Sequence, residues 1–480
     1  MSKASQEGQD PGARISPSSR TIDRSGYAVG RVSIAGSWVV QHRRHRQPGA
    51  GAAGQPFIWK QDDTWKALEA SFLEAREIGC KGLQSRTAQG FLQGRQYLAK
   101  LSAAPVNPEA PVLKRLEALT FGLGTRVAAC PERLTDYVHL VTKTRGYLKR
   151  QSERWDLNDP AARDRLYRLM YGGRAALEEV MLQAPAGSVP ALIKGDDVPS
   201  VTPSYAFQSG TLRSGDILVS RGGAPTSALI ARGNDYPGNF SHVALLHVDE
   251  KTGAPGIVES HIEMGVVVST VEQYIKDKKL RVMVLRLRPD LPQMKADPML
   301  PHKAAKRAVE EVKSRHIPYD FEMNYREPSK WFCSEVASWA YREAGVELWK
   351  GTTRMSAPGV VRWLSYFGVT HFETQAPADL EYDPQLAVVA EWRDPETLWQ
   401  DHVDNAVVEA MLEGADEGDA GPEVEGDRDR RNLPRVIHAQ GSDGLADGRD
   451  GAERHEADLH MAAAEHFAQQ RAGADTDIAR

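Results

Sequence analysis

The hydrophobic period of this chain changes once, and that change most constrains its fold. Between about residues 63 and 182, apolar side chains recur at three- and four-residue spacing, as in Val112, Leu116, Leu119 and Leu123. This spacing predicts amphipathic helices. From about residue 216 to 287 the chain has short β-branched runs bounded by Gly, Pro, Asn and Asp, which predicts strands. Because helical patterns follow these strands, we expect an α+β domain with an antiparallel sheet, preceded by an all-α helical region.

The composition of each segment predicts how the chain is organised. Segments rich in Gly, Ser and charged residues cannot bury enough apolar surface to fold alone, and clusters of Pro and Gly are typical of connections. We therefore predict a disordered basic tail at 1–58, a bundle of four or five helices at 59–182, a linker at 183–206, the α+β domain at 207–393, a helix at 394–412 and an acidic, mostly disordered tail at 413–480.

Charge and cysteine content exclude several classes of function. The formal net charge is −5, whereas a dedicated nucleic-acid binder is usually strongly basic. Three scattered cysteines are too few for a disulfide framework or a zinc site. Cys80 and Cys130 are interpreted as small core residues with free thiols in a reducing cytosol. We expect no metal and no cofactor.

Targeting signals are also missing from the sequence. The N-terminus lacks the apolar stretch of a signal peptide, and no run approaches the ~20 apolar residues that a membrane span needs. The prediction is a cytoplasmic protein without an integral membrane segment, with non-classical export left open. The helical region is a possible surface for a protein partner.

Cys333 is the first residue that suggests chemistry. It stands directly before a helical pattern, in Trp331-Phe332-Cys333-Ser334-Glu335. A thiol at a helix N-terminus faces unpaired N–H groups and the positive end of the helix dipole, which favour the thiolate. The same N–H groups can stabilise an oxyanion. The alternative is a buried structural cysteine.

A thiolate nucleophile needs a base and a group that orients the base. His242 begins an apolar strand pattern, and Glu259 lies on the next one. If these strands are antiparallel neighbours, Glu259 can accept from the His242 ring. His261 and Glu263 would share the face of Glu259, so alternation alone does not choose among them. A histidine satisfied by packing and a solvated carboxylate are the alternatives.

Six fragments in this order resemble the YiiX/YebB-like family of permuted, papain-fold cysteine amidases of the NlpC type. The fragments are Leu212–Ile217, Ser241–Val243, Ile257–Glu259, Gly265-Val266, Tyr319–Phe321 and Phe332–Glu335. The resemblance covers about 208–393. A circular permutation accounts for the histidine preceding the cysteine, the reverse of the papain order.

The resemblance implies roles for individual residues. Cys333 would be the nucleophile, His242 the base and Glu259 the orienting acid. Tyr319 and Ser334 would lie near the substrate or oxyanion. Gly265 would permit the sharp turn after the strand of the acid.

Three functions remain open at this point. The first is a cysteine hydrolase that cleaves an amide, ester or thioester of an acyl or peptide substrate. The second is a lipid-directed acyltransferase or phospholipase on the same fold. The third is a non-catalytic scaffold that binds a protein through the helical region. The polar stretch 220–238 is either a lid or specificity loop, or an ordinary solvent loop.

Overall fold

The computed structural model describes residues 56–60, 62–185, 187–207, 210–393 and 395–417. Almost all of the two predicted tails therefore lies outside the described residues. Residues 56–417, where described, form one compact unit.

The first part of this unit is helical. Its α-helices are α1 (Asp62–Ala103), α2 (Pro111–Ala129), α3 (Leu134–Ser152), α4 (Pro160–Leu166) and α5 (Gly172–Gln183), with a 3-10 turn at Pro131–Arg133 and a π-helical turn at Tyr167–Tyr171 between α4 and α5. Asp159 caps α4, because its carboxylate accepts from the Ala161 N–H at 3.2 Å, and Pro160 occupies the first helical position, where proline is favoured. The amphipathic faces pack into one apolar core.

The structure corrects the prediction that all cysteines are free. Cys80 and Cys130 form a disulfide with Cα atoms 5.0 Å apart. Cys80 follows Gly79, whose φ of +71° kinks α1, and Cys130 ends α2. The two cysteines are 50 residues apart in the sequence, and only the packing of α1 against α2 brings their thiols together. The pairing could therefore not be predicted from the sequence.

The second part of the unit is built on a seven-stranded antiparallel sheet. The strands lie in the order β1-β11-β8-β4-β5-β6-β7, and all neighbouring pairs are antiparallel. They are β1 (Leu192–Lys194), β4 (Ile217–Gly222), β5 (His242–Val248), β6 (Pro255–His261), β7 (Gly265–Ser269), β8 (Lys279–Leu287) and β11 (Leu386–Arg393). Strand β1 comes from the predicted linker 183–206.

Short ribbons and helices complete the architecture. The two-stranded ribbons pair β2 (Ser204–Phe207) with β3 (Gly210–Arg213), and β9 (Thr353–Arg354) with β10 (Glu373–Thr374). The helices are α6 (Pro225–Arg232), α7 (Val271–Lys276), α8 (Pro292–Ala296), α9 (Leu300–Ser314), α10 (Cys333–Glu343), α11 (Pro358–Tyr366) and α12 (Pro395–Glu417). The α+β class with an antiparallel sheet and a helical N-terminal region is confirmed.

The stretch 220–238 is neither an open lid nor a solvent loop. It contains α6, whose Ala228 and Ala231 are fully buried. Arg232, Asn234 and Asp235 are buried as well and hydrogen-bond other protein groups, so their polarity does not mark a solvent loop.

A buried ionic cluster joins the helical region to the sheet. Its members are four arginines and four carboxylates: Arg145, Arg174, Glu178, Arg281, Glu381, Glu391, Arg393 and Asp401. Glu391 on β11 contacts Arg145 of α3 at 2.8 Å, Arg174 of α5, and Arg393 at 3.2 Å. Burial opposes ionisation of Glu391, but these guanidinium groups hold its pKa below its usual range.

Removing one charge from the buried ionic cluster should destabilise the protein strongly. In Glu391→Gln, the guanidinium groups of Arg145 and Arg174 lose a buried counter-charge. We expect a loss of about 3–5 kcal/mol in the free energy of unfolding, because an uncompensated buried charge costs more than the pair gains. Urea unfolding followed by circular dichroism measures this loss.

A surface pair provides the control. Asp136 bonds Arg133 at 2.6 Å, and its side chain is 52% exposed. Asp136→Asn should cost no more than about 1 kcal/mol. Equal costs for the two variants would show that the buried cluster is not what holds the helical region to the sheet.

Candidate active site

Strand alternation places the candidate base and acid on the same face of the sheet. Ala244 on β5 pairs with Glu259 on β6. His242, two residues before Ala244, and His261, two residues after Glu259, therefore share one face. His242 Nε2 lies 2.9 Å from Glu259 Oε2. The structure thus brings together the pair that the sequence could place only on neighbouring strands.

A second histidine flanks the same carboxylate. His261 Nε2 lies 3.2 Å from Glu259 Oε1, and the rings of His242 and His261 are 6.1 Å apart. Glu259 is only 2% exposed. Burial would favour its neutral form, but the hydrogen bond with His242 and the close approach of His261 hold its pKa below its usual range, so the carboxylate is ionised.

The candidate nucleophile completes the constellation. Cys333 is the first residue of α10 and is buried. Its Sγ lies 3.9 Å from the carbonyl oxygen of Ser241, and it is close enough to the His242 ring to raise the pKa of that imidazole. Since Nε2 of His242 contacts Glu259, Nδ1 is the ring nitrogen left for the thiol.

The His242 ring lies between two acidic partners. Burial alone would lower the pKa of this imidazole, but hydrogen bonds and charges from Cys333 and Glu259 raise it to about 9. A histidine ordinarily titrates near 6.5. At neutral pH the ring therefore carries a proton and faces the Cys333 sulfur as an imidazolium.

Backbone contacts fix the approach to α10. Ser260 Oγ donates to the Trp331 carbonyl at 2.7 Å, and the Val266 N–H donates to the Ile317 carbonyl at 2.9 Å. Gly265 has φ +74°, and a Cβ there would lie 2.2 Å from the Ile317 oxygen. Any side chain at this position would push the backbone at Ile317 away from the start of β7, and with it the segment that leads to Cys333.

Tyr319 lies close to the candidate nucleophile. Burial raises the pKa of its phenol well above the usual range, and the negative charges of Cys333 and Asp320 act in the same direction. The hydroxyl therefore keeps its proton and can donate a hydrogen bond. Its ring packs edge-on against Phe321, with centroids 5.0 Å apart.

Ser334 and Glu335 follow Cys333 in the first turn of α10. Ser334 is fully buried, so its hydroxyl does not face solvent. The group that it can offer to a substrate is its backbone N–H, in the first turn of α10. Glu335 accepts from the Phe332 N–H at 2.8 Å. Burial, helped by the nearby charge of Asp320, raises the pKa of Glu335 to about 9. The structure therefore indicates that Glu335 is a neutral cap of α10.

Within the described residues, one group of three potential metal-binding side chains comes together outside this site: Cys80, Cys130 and Glu132. Both thiols are held in the disulfide. In the same part of the chain, no helix is both long and apolar enough to cross a bilayer.

Removal of the thiol should release the His242 proton at lower pH. In Cys333→Ala, the ring loses the partner that contributes most to its raised pKa. We expect the pKa of His242 to fall from about 9 toward or below 6.5, because burial remains. A titration of the ring carbon-bound proton by NMR measures the change.

The double variant Cys80→Ala, Cys130→Ala is the matched control, since it removes two cysteines without touching His242. It should leave the His242 titration where it is in the native protein. A His242 resonance that titrates alike with and without Cys333 would contradict the proposed contact.

The comparisons with known proteins bear on the same part of the chain. Residues 211–390 match the family model described as "Permuted papain-like amidase enzyme, YaeF/YiiX, C92 family". No curated protein and no solved structure matches the chain. The matched residues include His242, Glu259 and Cys333, and they end before α12.

Proposed function

From the membership of residues 211–390 in the permuted papain-like amidase family, we propose that this chain cleaves an amide, ester or thioester through an acyl-enzyme on Cys333. One observation carries the proposal. The His242 ring lies between Cys333 and Glu259, with Nε2 2.9 Å from the carboxylate. This arrangement supports the assignment of Cys333 as nucleophile, His242 as base and Glu259 as orienting acid of a cysteine hydrolase.

The proposed reaction uses these groups in sequence. The Cys333 thiolate attacks the carbonyl carbon, and the carbonyl oxygen becomes an oxyanion. The N–H groups that open α10, at Cys333 and Ser334, and the Tyr319 hydroxyl stabilise that charge. His242 then gives its proton to the leaving nitrogen, oxygen or sulfur, and the bond from the carbonyl carbon to that atom breaks to leave a thioester on Cys333.

Release of the acyl group reverses the proton transfer. Neutral His242 takes a proton from water, and the resulting hydroxide attacks the thioester. The thiolate leaves and the carboxylic acid departs. Throughout, Glu259 accepts from Nε2 and keeps the ring oriented with Nδ1 toward the sulfur.

A lipid-directed version of this reaction is the second candidate. Large apolar side chains are exposed beside the site: Ile262 and Met264 lie in the turn after His261, and Phe321 packs on Tyr319. Such a rim suits an acyl chain or a lipid surface. Flotation with phosphatidylcholine vesicles distinguishes the candidates, because the lipid-directed version requires the protein to float.

The disulfide bears on where the protein works. Stable disulfides are typical of oxidising compartments, and a reducing cytosol keeps thiols free. The Cys80–Cys130 bond therefore weighs against the cytoplasmic location predicted from free thiols, and we propose an oxidising compartment.

The central test is acylation by an activated ester. With p-nitrophenyl acetate, Cys333 should carry an acetyl group that intact-mass and peptide mass spectrometry can locate. Cys333→Ala should abolish the adduct. His242→Ala should slow acylation by about 10²–10⁴-fold, the usual contribution of a general acid–base.

The controls separate an enzyme from a scaffold. Cys80→Ala, Cys130→Ala should keep the acetyl adduct on Cys333, because it leaves the site untouched. A folded protein in which Cys333 shows no adduct, and in which ester hydrolysis is unchanged by Cys333→Ala, would refute the proposal and favour a non-catalytic protein-binding role.

Activity should also depend on the His242 proton. A histidine whose pKa is raised to about 9 remains protonated at neutral pH and loses its proton as the pH rises through that value. The rate of acylation by an amide substrate such as an acyl p-nitroanilide should therefore fall above about pH 9. A rate that keeps increasing to pH 10.5 would contradict the role of His242 as the acid.

A further inference from the structure

The segment that leads into His242 has no regular secondary structure. It runs from Gly233, after α6, to Ser241, before β5. Asp235, Phe240 and Ser241 in this segment are nevertheless buried. Because it lacks a ladder or a helix of its own, its position depends on the groups packed against it.

Two of those groups are side chains of the helical region. The Tyr236 hydroxyl donates to Asp164 Oδ1 at 2.8 Å, and the Tyr167 hydroxyl donates to the Pro237 carbonyl at 2.7 Å. Burial raises the pKa of Tyr167 well above its usual range, so this hydroxyl keeps the proton that it donates.

Two more contacts continue along the segment. Arg232 donates from one nitrogen both to the Tyr171 hydroxyl at 2.9 Å and to the Gly238 carbonyl at 3.0 Å. The Arg174 guanidinium lies over the Phe240 ring, 5.0 Å from its centroid. Phe240 is fully buried and stands two residues before His242.

Four residues of the helical region, Asp164, Tyr167, Tyr171 and Arg174, contact this segment in the order of the chain. They are separated by three, four and three positions, which places them along one side of a helical segment. Asp164 contacts Tyr236, Tyr167 contacts Pro237, Tyr171 contacts Gly238 through Arg232, and Arg174 contacts Phe240. We call this set the loop cradle: Asp164, Tyr167, Tyr171 and Arg174.

The end of the held segment is part of the candidate site. The Ser241 N–H donates to the Ser220 carbonyl at 2.9 Å, and the Ser241 carbonyl lies 3.9 Å from Cys333 Sγ. A displacement of residues 236–240 therefore moves the start of β5, and the His242 ring with it, relative to the sulfur. Misplacement by about 1 Å can cost on the order of 100-fold in rate.

We propose that the loop cradle of the helical region positions His242 against Cys333, which makes the helical region a working part of the active site. Its members are positioning residues, since none of them touches the reacting atoms. This inference rests on the proposed function, because it assigns the helical region a role in the same reaction.

Tyr167→Phe tests the proposal with a minimal change. It removes the hydroxyl that holds Pro237 and keeps the ring, which stacks on Tyr171 with centroids 4.6 Å apart. A weakened hold on His242 should destabilise its ion pair with Cys333. We expect alkylation by iodoacetamide at pH 6 to slow by about three- to tenfold, in line with the loss of one buried hydrogen bond, while alkylation at pH 10 stays the same.

This pH dependence separates positioning from stability. A variant that only unfolds more easily loses reactive protein equally at both pH values, or exposes the thiol and reacts faster. Tyr236→Phe removes the other tyrosine hydroxyl contact from the loop side and should shift the profile in the same direction. Circular dichroism checks that both variants are folded.

Tyr97→Phe is the matched control, because Tyr97 also lies in the helical region and its hydroxyl accepts from Gln93 in an exposed contact at 2.8 Å. Its profile should equal that of the native protein. If Tyr167→Phe and Tyr236→Phe, both folded, also keep the native profile, the loop cradle does not position His242.

The reactivity of Cys333 in the native protein distinguishes a failure of this inference from a failure of the proposed function. If native Cys333 reacts no faster at pH 6 than glutathione does, the imidazolium–thiolate pair is absent and the proposed function falls together with the inference. If native Cys333 is reactive at pH 6 and the two variants match it, only the inference falls.

Discussion

Eight buried charges hold the helical region against the sheet, and the rest of the structure depends on that attachment. Ions that leave water lose several kcal/mol of hydration each, so a buried set persists only when every charge has close partners. Here four arginines face four carboxylates. Glu178 of α5, for example, contacts Arg281 of β8 at 2.7 Å and Arg393 of β11 at 2.5 Å. Such a set tolerates neither separation nor sliding of the two parts.

Arg174 connects this cluster to the candidate site. Its guanidinium contacts Glu381 and Glu391 and also lies over Phe240. One side chain thus contacts both the charges that join the two parts and the segment that leads to His242. Two parts of the chain that the sequence predicts as separate domains are therefore one compact unit, in which the helices can influence the chemistry.

The elements that follow a simple period could be predicted from the sequence. The β-rich runs of β5 and β6 predict the strands that carry His242 and Glu259, whereas the register that puts both side chains on one face is seen only in the structure. Cys333 precedes a helical pattern, and α10 begins at that residue. The short strand β1 and helix α6 lack a clear period, since Leu192–Lys194 is too short and Pro225–Arg232 is flanked by Gly and polar residues.

Other features depend on contacts between distant parts of the chain. Arginines are usually exposed, so nothing in the sequence marks Arg281 or Arg393 as buried. Glu335 resembles any acidic residue in a first helical turn until burial beside Asp320 is known. Tyr167 resembles an ordinary core aromatic, and its contact with Pro237 becomes visible only in three dimensions.

The disulfide has a practical consequence for any thiol chemistry at Cys333. Reductants are normally added to keep a nucleophilic cysteine from oxidising, but the same reagents can open a bond between two other cysteines of the same chain. Cys80 is only partly buried, so reagents can reach this bond. The bond in turn fixes the end of α2 to the kink of α1. Thiol chemistry therefore requires Cys333 to be reduced while Cys80 and Cys130 stay oxidised. A buffer that favours one of these two states works against the other.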